Sequence, residues 1–147
     1  GDILSVHEVQ FGPIPDRRIP IITGAMGPQS LRLTSRLADG ISISSSYVPD
    51  ENIPWFRQQL DEGAKINERV PSELRIYYNL MGYIETKAGG VRPKSDKLYW
   101  GNADWWIEKL SSLVGKGVTG FTYWPATGDF EEQFRIFAEE VVPKVRG

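Results

Sequence analysis

The residues best placed to do chemistry lie in one short segment. Gly24-Ala25-Met26-Gly27-Pro28, followed by Gln29 and Ser30, joins an apolar run to an amphipathic stretch. Pro28 suits the first position of a helix, where a missing N–H costs nothing. A helix starting there leaves first-turn amides without intrahelical partners and points the positive end of its dipole out of the turn. Glycines at 24 and 27 let the backbone approach an anion closely. With Pro28 unable to donate, Met26, Gly27, Gln29 and Ser30 are the expected donors. The same glycines also serve a plain strand-to-helix turn, and both readings stand at this point.

A second group is Ser42, Ser44, Ser45, Ser46 and Tyr47. Their hydroxyls suit a phosphate or a polar substrate group. The alternation of Ile41 and Ile43 with Ser42 and Ser44 equally describes a strand with one polar face. A serine nucleophile is not expected, because there is no Gly-x-Ser-x-Gly turn and His7 is the only histidine. A third group is aromatic: Tyr77, Tyr78, Tyr123 and Trp124 near strand ends, with Tyr99 and Trp100 in a long loop. Flat ring systems stack on such side chains, and core packing is the alternative use. Ser44, Ser45, Ser46 and Trp124 are taken as the candidate substrate pocket. Trp55, Trp105 and Trp106 lie on helices and read as packing residues. Asp39 reads as a structural Asp-Gly turn, and His7 as structural or solvated. Glu131/Glu132 and Glu139/Glu140 are helix neighbours about 100° apart, so they do not converge as acid–base pairs.

Those groups need elements to position them. Ile19–Thr23 reads as a strand and 28–38 as a helix with Leu33, Leu37 and Ala38 on its inner stripe. Ile41–Ser44 is the next strand. A helix from about Pro54 to Asn67 turns Trp55, Leu60, Ala64 and Ile66 inward. Leu74–Tyr83 is a longer strand, and 86–101 a long loop. The third helix spans 102–114, with Trp106, Leu110, Leu113 and Val114 on one face. Gly120–Trp124 is the last strand. Asp129 caps the last helix, with Glu132 three residues on as in a capping box. That helix carries Phe130, Phe134, Phe137, Ala138, Val141 and Val142 on one side, and Pro143 closes it.

The result is an α/β chain of four βα units with a parallel sheet and right-handed crossovers. Four units are too few to close an eight-stranded barrel. The remaining solutions are an open doubly wound sheet and half of a TIM (β/α)8 barrel.

Composition narrows the function. The 147 residues suit a single domain spanning 1–147. With no cysteine and one histidine, disulfides, thiolate chemistry and histidine-rich metal sites are not expected. Net charge is −2 and no basic block stands out, so neither nucleic acid nor a membrane is an expected partner. The N-terminal segment carries no basic-then-apolar targeting pattern, and a cytoplasmic location is the expectation.

The stretch IPIITGAMGPQSLRLTSRLADGISISSS, residues 19–46, resembles the C-terminal half of the luciferase-like monooxygenase superfamily. That superfamily shows a strand, a Gly-Ala-x-Gly-Pro turn and a helix ending in Ala-Asp-Gly, here Ala38-Asp39-Gly40. Trp106 to Trp124 resembles its helix, Gly-Val-x-x-Phe and strand, and 130–146 its closing helix. The resemblance covers about residues 13–147. It implies a TIM barrel oxidoreductase using FMN, as in flavoprotein luciferases, or the deazaflavin coenzyme F420. The cofactor phosphate would rest on Ala25, Met26 and Gly27, with Gln29 beside them. The Gly-Pro of the turn resembles the deazaflavin users more, which favours hydride transfer on a small-molecule substrate. Only the last four βα units of the family barrel are present. Together with Gly1, this implies a fragment inactive alone, completed by an N-terminal half. The alternatives are a non-catalytic half-barrel that pairs into a homodimer, and a free-standing doubly wound domain for a phosphorylated ligand.

Overall fold

The computed structural model describes residues 12, 13, 15–86, 95 and 97–146. Its elements run β1 (Ile22–Thr23), α1 (Pro28–Leu37), β2 (Gly40–Ser44), α2 (Ile53–Ile66), β3 (Arg75–Ile84), β4 (Tyr99–Gly101), α3 (Ala103–Gly115), β5 (Gly120–Pro125) and α4 (Phe130–Ile136). A π-helical turn, Phe137–Val141, and a 3-10 turn, Val142–Lys144, continue α4. All strand pairs are parallel. β1 pairs with β2, β2 with β3, and β3 with both β4 and β5. Tyr77 partners Ser42 on one side and Gly120 on the other, so β2 and β5 flank β3. Gly82 partners Tyr99 and Pro125, which puts β4 on the β2 side, beyond the end of β2.

Period-two alternation gives the sheet two different faces. Ile41, Ile43, Ile76, Tyr78, Leu80 and Tyr123 are buried and share one continuous core with Leu31, Phe56, Leu60, Trp106, Leu110 and Ile136 from the four helices. Ser42, Ser44, Tyr77 and Asn79 are half-buried on the other face, where Met81 and Trp124 are exposed. The helices thus cover one face only. That is the arrangement of a barrel segment and not of a doubly wound sheet, whose helices cover both faces.

The four βα units stand, and several boundaries and faces differ from the sequence expectation. β1 is shorter than Ile19–Thr23, with Ile19 and Ile21 exposed at the sheet edge. Tyr99 and Trp100 lie in a strand, not a loop; residues 87–94 and 96 of that stretch, like His7, fall outside the described residues.

In α1 the buried residues are Leu31, Thr34 and Ser35, while Leu33 and Leu37 are exposed. Polar groups occupy the inner face because they are satisfied there. Thr34 shares a 2.7 Å hydrogen bond with the Thr23 hydroxyl, and Ser35 Oγ donates to Leu31 O at 2.8 Å. Ser35 also sits against Gly63 of α2, where an added Cβ would lie 2.5 Å from its hydroxyl. In α2, Phe56 takes the inward position expected of Trp55, and Ile66 is exposed.

In α4 the buried residues are Gln133 and Ile136, with Phe130 and Phe134 exposed, and in the turns that follow Val141 is buried while Ala138 and Val142 are exposed. Gln133 Nε2 donates to Ile84 O at 2.9 Å, and its Oε1 accepts from Ile84 N at 2.8 Å and Tyr123 Oη at 2.7 Å. β3 is unpaired by β5 beyond Gly82, and this side chain takes over its backbone. Asp129 caps α4 by accepting the Glu132 N–H at 2.9 Å.

Candidate functional site

β1 and β2 are neighbours, so the segments leaving their C-terminal ends share one rim of the sheet. The first is the turn into α1. Gly27 is the N-cap, with Pro28 in the first helical position. Ser30 Oγ accepts the Gly27 N–H at 3.2 Å and donates to Gly27 O at 2.9 Å, tying the turn to itself. The Gln29 and Ser30 amides have no acceptor among the described residues, and no acidic side chain occupies the first turn. The Ala25 side chain packs into the core, which leaves only its backbone for contact, and Met26 is half exposed.

Neither turn glycine is required by its φ or by close packing. Positive φ among the described glycines occurs at Gly40, Gly117 and Gly128, whereas Gly27 is extended at φ −91°, ψ 158°. A Cβ on Gly24 would meet nothing within 4 Å, and one on Gly27 only Ser30 Oγ at 3.8 Å. Gly40 differs, since a Cβ there would lie 2.2 Å from the Arg75 carbonyl oxygen. Bare backbone at 24 and 27 is therefore left facing open space.

The second segment leaves β2. Asn79 donates to Ser42 Oγ at 3.1 Å across the open face, and Ser46 N–H reaches Ser44 Oγ at 3.4 Å. Ser45 Oγ is buried with no partner among the described residues. Ser45, Ser46 and Tyr47 line a cleft of about 480 Å³ together with Asp50, Lys97, Tyr99 and Lys109. Trp124 stands apart from these serines. It lies on β5, in register with Met81, and the two make an apolar shelf on the open sheet face.

The cleft holds a polar cluster that the sequence reading does not anticipate. Asp50 carries an ion pair with Lys109 and accepts hydrogen bonds from Tyr99 Oη and, at 3.1 Å, Tyr78 Oη. Tyr78 Oη also reaches Val48 O at 2.6 Å, and Lys109 Nζ lies 5.1 Å from the Tyr99 ring centre. Burial raises the Asp50 pKa, but the Lys109 ammonium and the Tyr99 hydroxyl outweigh it and hold the carboxyl below its ordinary range. Burial, reinforced by that carboxylate, pushes Tyr99 far above the usual phenol range, and burial does the same for Tyr78. At neutral pH the cluster therefore holds a carboxylate at Asp50 and two intact phenols. Its members come from the β2–α2 loop, β3, β4 and α3. Nothing in local sequence links Asp50 to Lys109; the signal was confined to Tyr78 and Tyr99, which read as stacking surfaces.

Asp39 is a structural residue. It accepts from Arg18 at 2.6 Å and from the Ile21 amide at 2.7 Å, with Arg69 at 3.8 Å. The Arg18 hydrogen bond leads in lowering its pKa. Among the described residues no group of three His, Asp or Glu side chains is arranged to hold a metal, and no helix is long and apolar enough to cross a membrane.

Comparison with known proteins bears on this geometry. The family description "Luciferase-like monooxygenase" matches residues 1–117. The chain belongs to the luciferase-like monooxygenase family. Among curated relatives, an F420-dependent glucose-6-phosphate dehydrogenase from Microbacterium testaceum (strain StLB037) is 21% identical over an alignment 189 residues long, covering 99% of this chain and 54% of that protein. Among solved structures, an F420-dependent secondary alcohol dehydrogenase in complex with an F420-acetone adduct superposes with a TM-score of 0.76 at 15% identity, covering 100% of this chain and 55% of that one. The coenzyme F420-dependent tetrahydromethanopterin reductase from Methanopyrus kandleri gives 0.72 at 17% identity, over 87% and 51%. The chain spans about half the length of these luciferase-like relatives, which fits the half-barrel read from its sheet.

Proposed function

We propose that this chain is the cofactor-phosphate-holding half of a deazaflavin F420-dependent oxidoreductase, acting by hydride transfer on a small-molecule substrate. The observation that carries this is the bare turn. Glycines 24 and 27 are demanded by neither φ nor packing, and they sit beside the unbonded amides of Gln29 and Ser30. That combination suits a phosphate oxygen approaching a helix N-terminus at hydrogen-bonding distance. F420, when bound, supplies the hydride acceptor or donor. The chain's own residues have other work. The turn from Met26 to Ser30 holds the anion, and the Met81–Trp124 shelf offers an apolar surface to a flat ring. The partnerless Ser45 hydroxyl and Ser46 offer hydrogen bonds to a polar substrate group at the cleft. Preference for F420 over FMN rests on the named cofactor of the relatives above.

The test is titration of the folded chain with F420 and, separately, FMN, read by quenching of its five tryptophans. Saturable quenching by F420 at lower concentration than FMN supports the proposal. Tighter binding of FMN overturns the cofactor assignment, and binding of neither overturns phosphate holding by this half.

A further inference from the structure

The loop that carries Ser45 and Ser46 ends on a buried carboxylate. It leaves β2 at Ser44 and enters α2 through a 3-10 turn, Asp50–Asn52. Tyr47 and Pro49 are exposed, so neither anchors it. The Tyr47 and Val48 amides donate to Ser44 O at 3.0 and 2.9 Å, and the Ser45 amide donates to Asn79 O at 3.0 Å. Those bonds shape the near end of the loop. The far end is held at Asp50, the only buried acidic side chain among the described residues.

Asp50 meets three elements at once. Lys109 of α3 pairs with its Oδ2, while Tyr99 of β4 and Tyr78 of β3 donate to its Oδ1, Tyr78 at 3.1 Å. Tyr78 Oη also reaches Val48 O at 2.6 Å. These partners stand on firm ground. Tyr78 is fully buried in β3, and β4 is bonded to β3. Helix α3 buries Trp106 and Leu110, three residues before Lys109 and one after it. Asp50, Tyr99 and Lys109 line the same cleft as Ser45 and Ser46. Stability alone is a weak reason for such a cluster. Taking two charges out of water offsets most of their attraction, and neutral residues of similar size often replace a buried pair without loss. A buried pair does, however, fix the location of the chain that carries it.

We infer that Asp50 is a positioning residue: clamped by Lys109 and Tyr99, it fixes the loop that sets where the Ser45 and Ser46 hydroxyls stand in the cleft. The inference rests on the reading of those serines as hydrogen-bonding groups for substrate. A hydroxyl kept for a ligand contributes no bond to its own placement, and Ser45 Oγ has no partner among the described residues. Ser46 is held locally only by its N–H, at 3.4 Å from Ser44 Oγ. Both are therefore located by the loop backbone, and the loop by Asp50, five residues beyond Ser45. Through Lys109 the substrate end of the site answers to α3 as well as to β2.

The experiment is amide hydrogen exchange on the ¹⁵N-labelled chain, paired with urea unfolding. Asp50→Asn combined with Lys109→Met removes both charges together, so the urea midpoint is expected to stay near the native value. The Ser45, Tyr47 and Val48 amides should nevertheless exchange at least about tenfold faster, with the Ser45 and Ser46 cross-peaks displaced, while amides of α1 and β5 keep their native rates. Lys109→Arg keeps a cation for Asp50 and should exchange as the native chain does. Native loop exchange in the charge-free pair overturns the inference. So does faster exchange spread evenly over the chain, which marks a purely stabilising role, or a Lys109→Arg loop as loose as that of the charge-free pair. Should the paired variant lose its fold, Asp50→Asn alone decides by the same readings, because Lys109 is partly exposed and can turn to solvent. Titration of the native chain with F420 tests the cofactor reading separately, since its outcome does not depend on the exchange rates of this loop.

Discussion

Gly27→Val separates a turn built for a ligand from a turn built for folding. The backbone at 27 is extended, a region valine favours, and the new Cβ would meet only Ser30 Oγ at 3.8 Å. Exchanging the N-cap glycine for a β-branched residue costs about 1 kcal/mol or less. The valine methyls, however, occupy the space through which an anion reaches the Gln29 and Ser30 amides. Hydrogen bonds to a charged group contribute roughly 1.5–3 kcal/mol each, so losing one of them weakens binding by about 10- to 100-fold and losing two by up to about 10,000-fold. Gly40→Ala is the contrasting variant. Its Cβ would sit 2.2 Å from the backbone oxygen of Arg75, and the strand must shift, at a cost of roughly 3 kcal/mol. The assay pairs urea unfolding with an F420 titration. Gly27→Val should unfold near the native midpoint and bind weakly, and Gly40→Ala should unfold early. A Gly27→Val chain that binds as well as the native one refutes the reasoning. So does one that loses stability as Gly40→Ala does, because the glycine would then be structural.

Three further outcomes follow from the polar clusters. Gln133→Leu strips the Ile84 amide and carbonyl and the Tyr123 hydroxyl of a buried partner, and should cost about 2–4 kcal/mol in urea unfolding. Asp50 has a folded pKa below its ordinary value of 3.8, so its contribution is present above that pH and lost as pH falls through the folded value. Lys109→Met removes the main opposing charge and should flatten that acid limb while lowering stability at pH 7. Tyr78, Tyr99 and Tyr123 have raised folded pKa values, so their contribution is complete below pH 10 and is lost as pH rises beyond it. An alkaline absorbance titration should therefore show Tyr78, Tyr99 and Tyr123 ionising later in the folded chain than in denaturant.

The order of elements was legible because the strands are β-branched or aromatic runs with glycine or proline near their ends, and the helices open on proline in α1 and α2 and on Asp129 in α4. The faces of α1 and α4 were less legible, for a shared reason. Hydrophobicity alone puts Leu33, Leu37, Phe130 and Phe134 inside, yet Thr34, Ser35 and Gln133 occupy the interior because their polar groups find partners on β1, α1 and β3. The partners of Thr34 and Gln133 are set by tertiary contact, and Ser35 bonds back to Leu31 within its own helix. β4 went unseen because Tyr99-Trp100-Gly101 is too short to show alternation. The rim turn was legible as a strand-to-helix connection from its glycines and proline, and the anion-holding role proposed for it was read from the same residues. That its glycines lack a structural duty emerges only from the surrounding space, and the Asp50–Lys109 pair only from the fold.

The most direct test of the account is the amide spectrum of the ¹⁵N-labelled chain as F420 is added. The largest shifts should fall on Met26, Gly27, Gln29 and Ser30, with smaller ones at Ser45, Ser46 and the Trp124 indole. Shifts centred elsewhere, or an unchanged turn at saturating cofactor, would contradict a phosphate held by the first turn of α1.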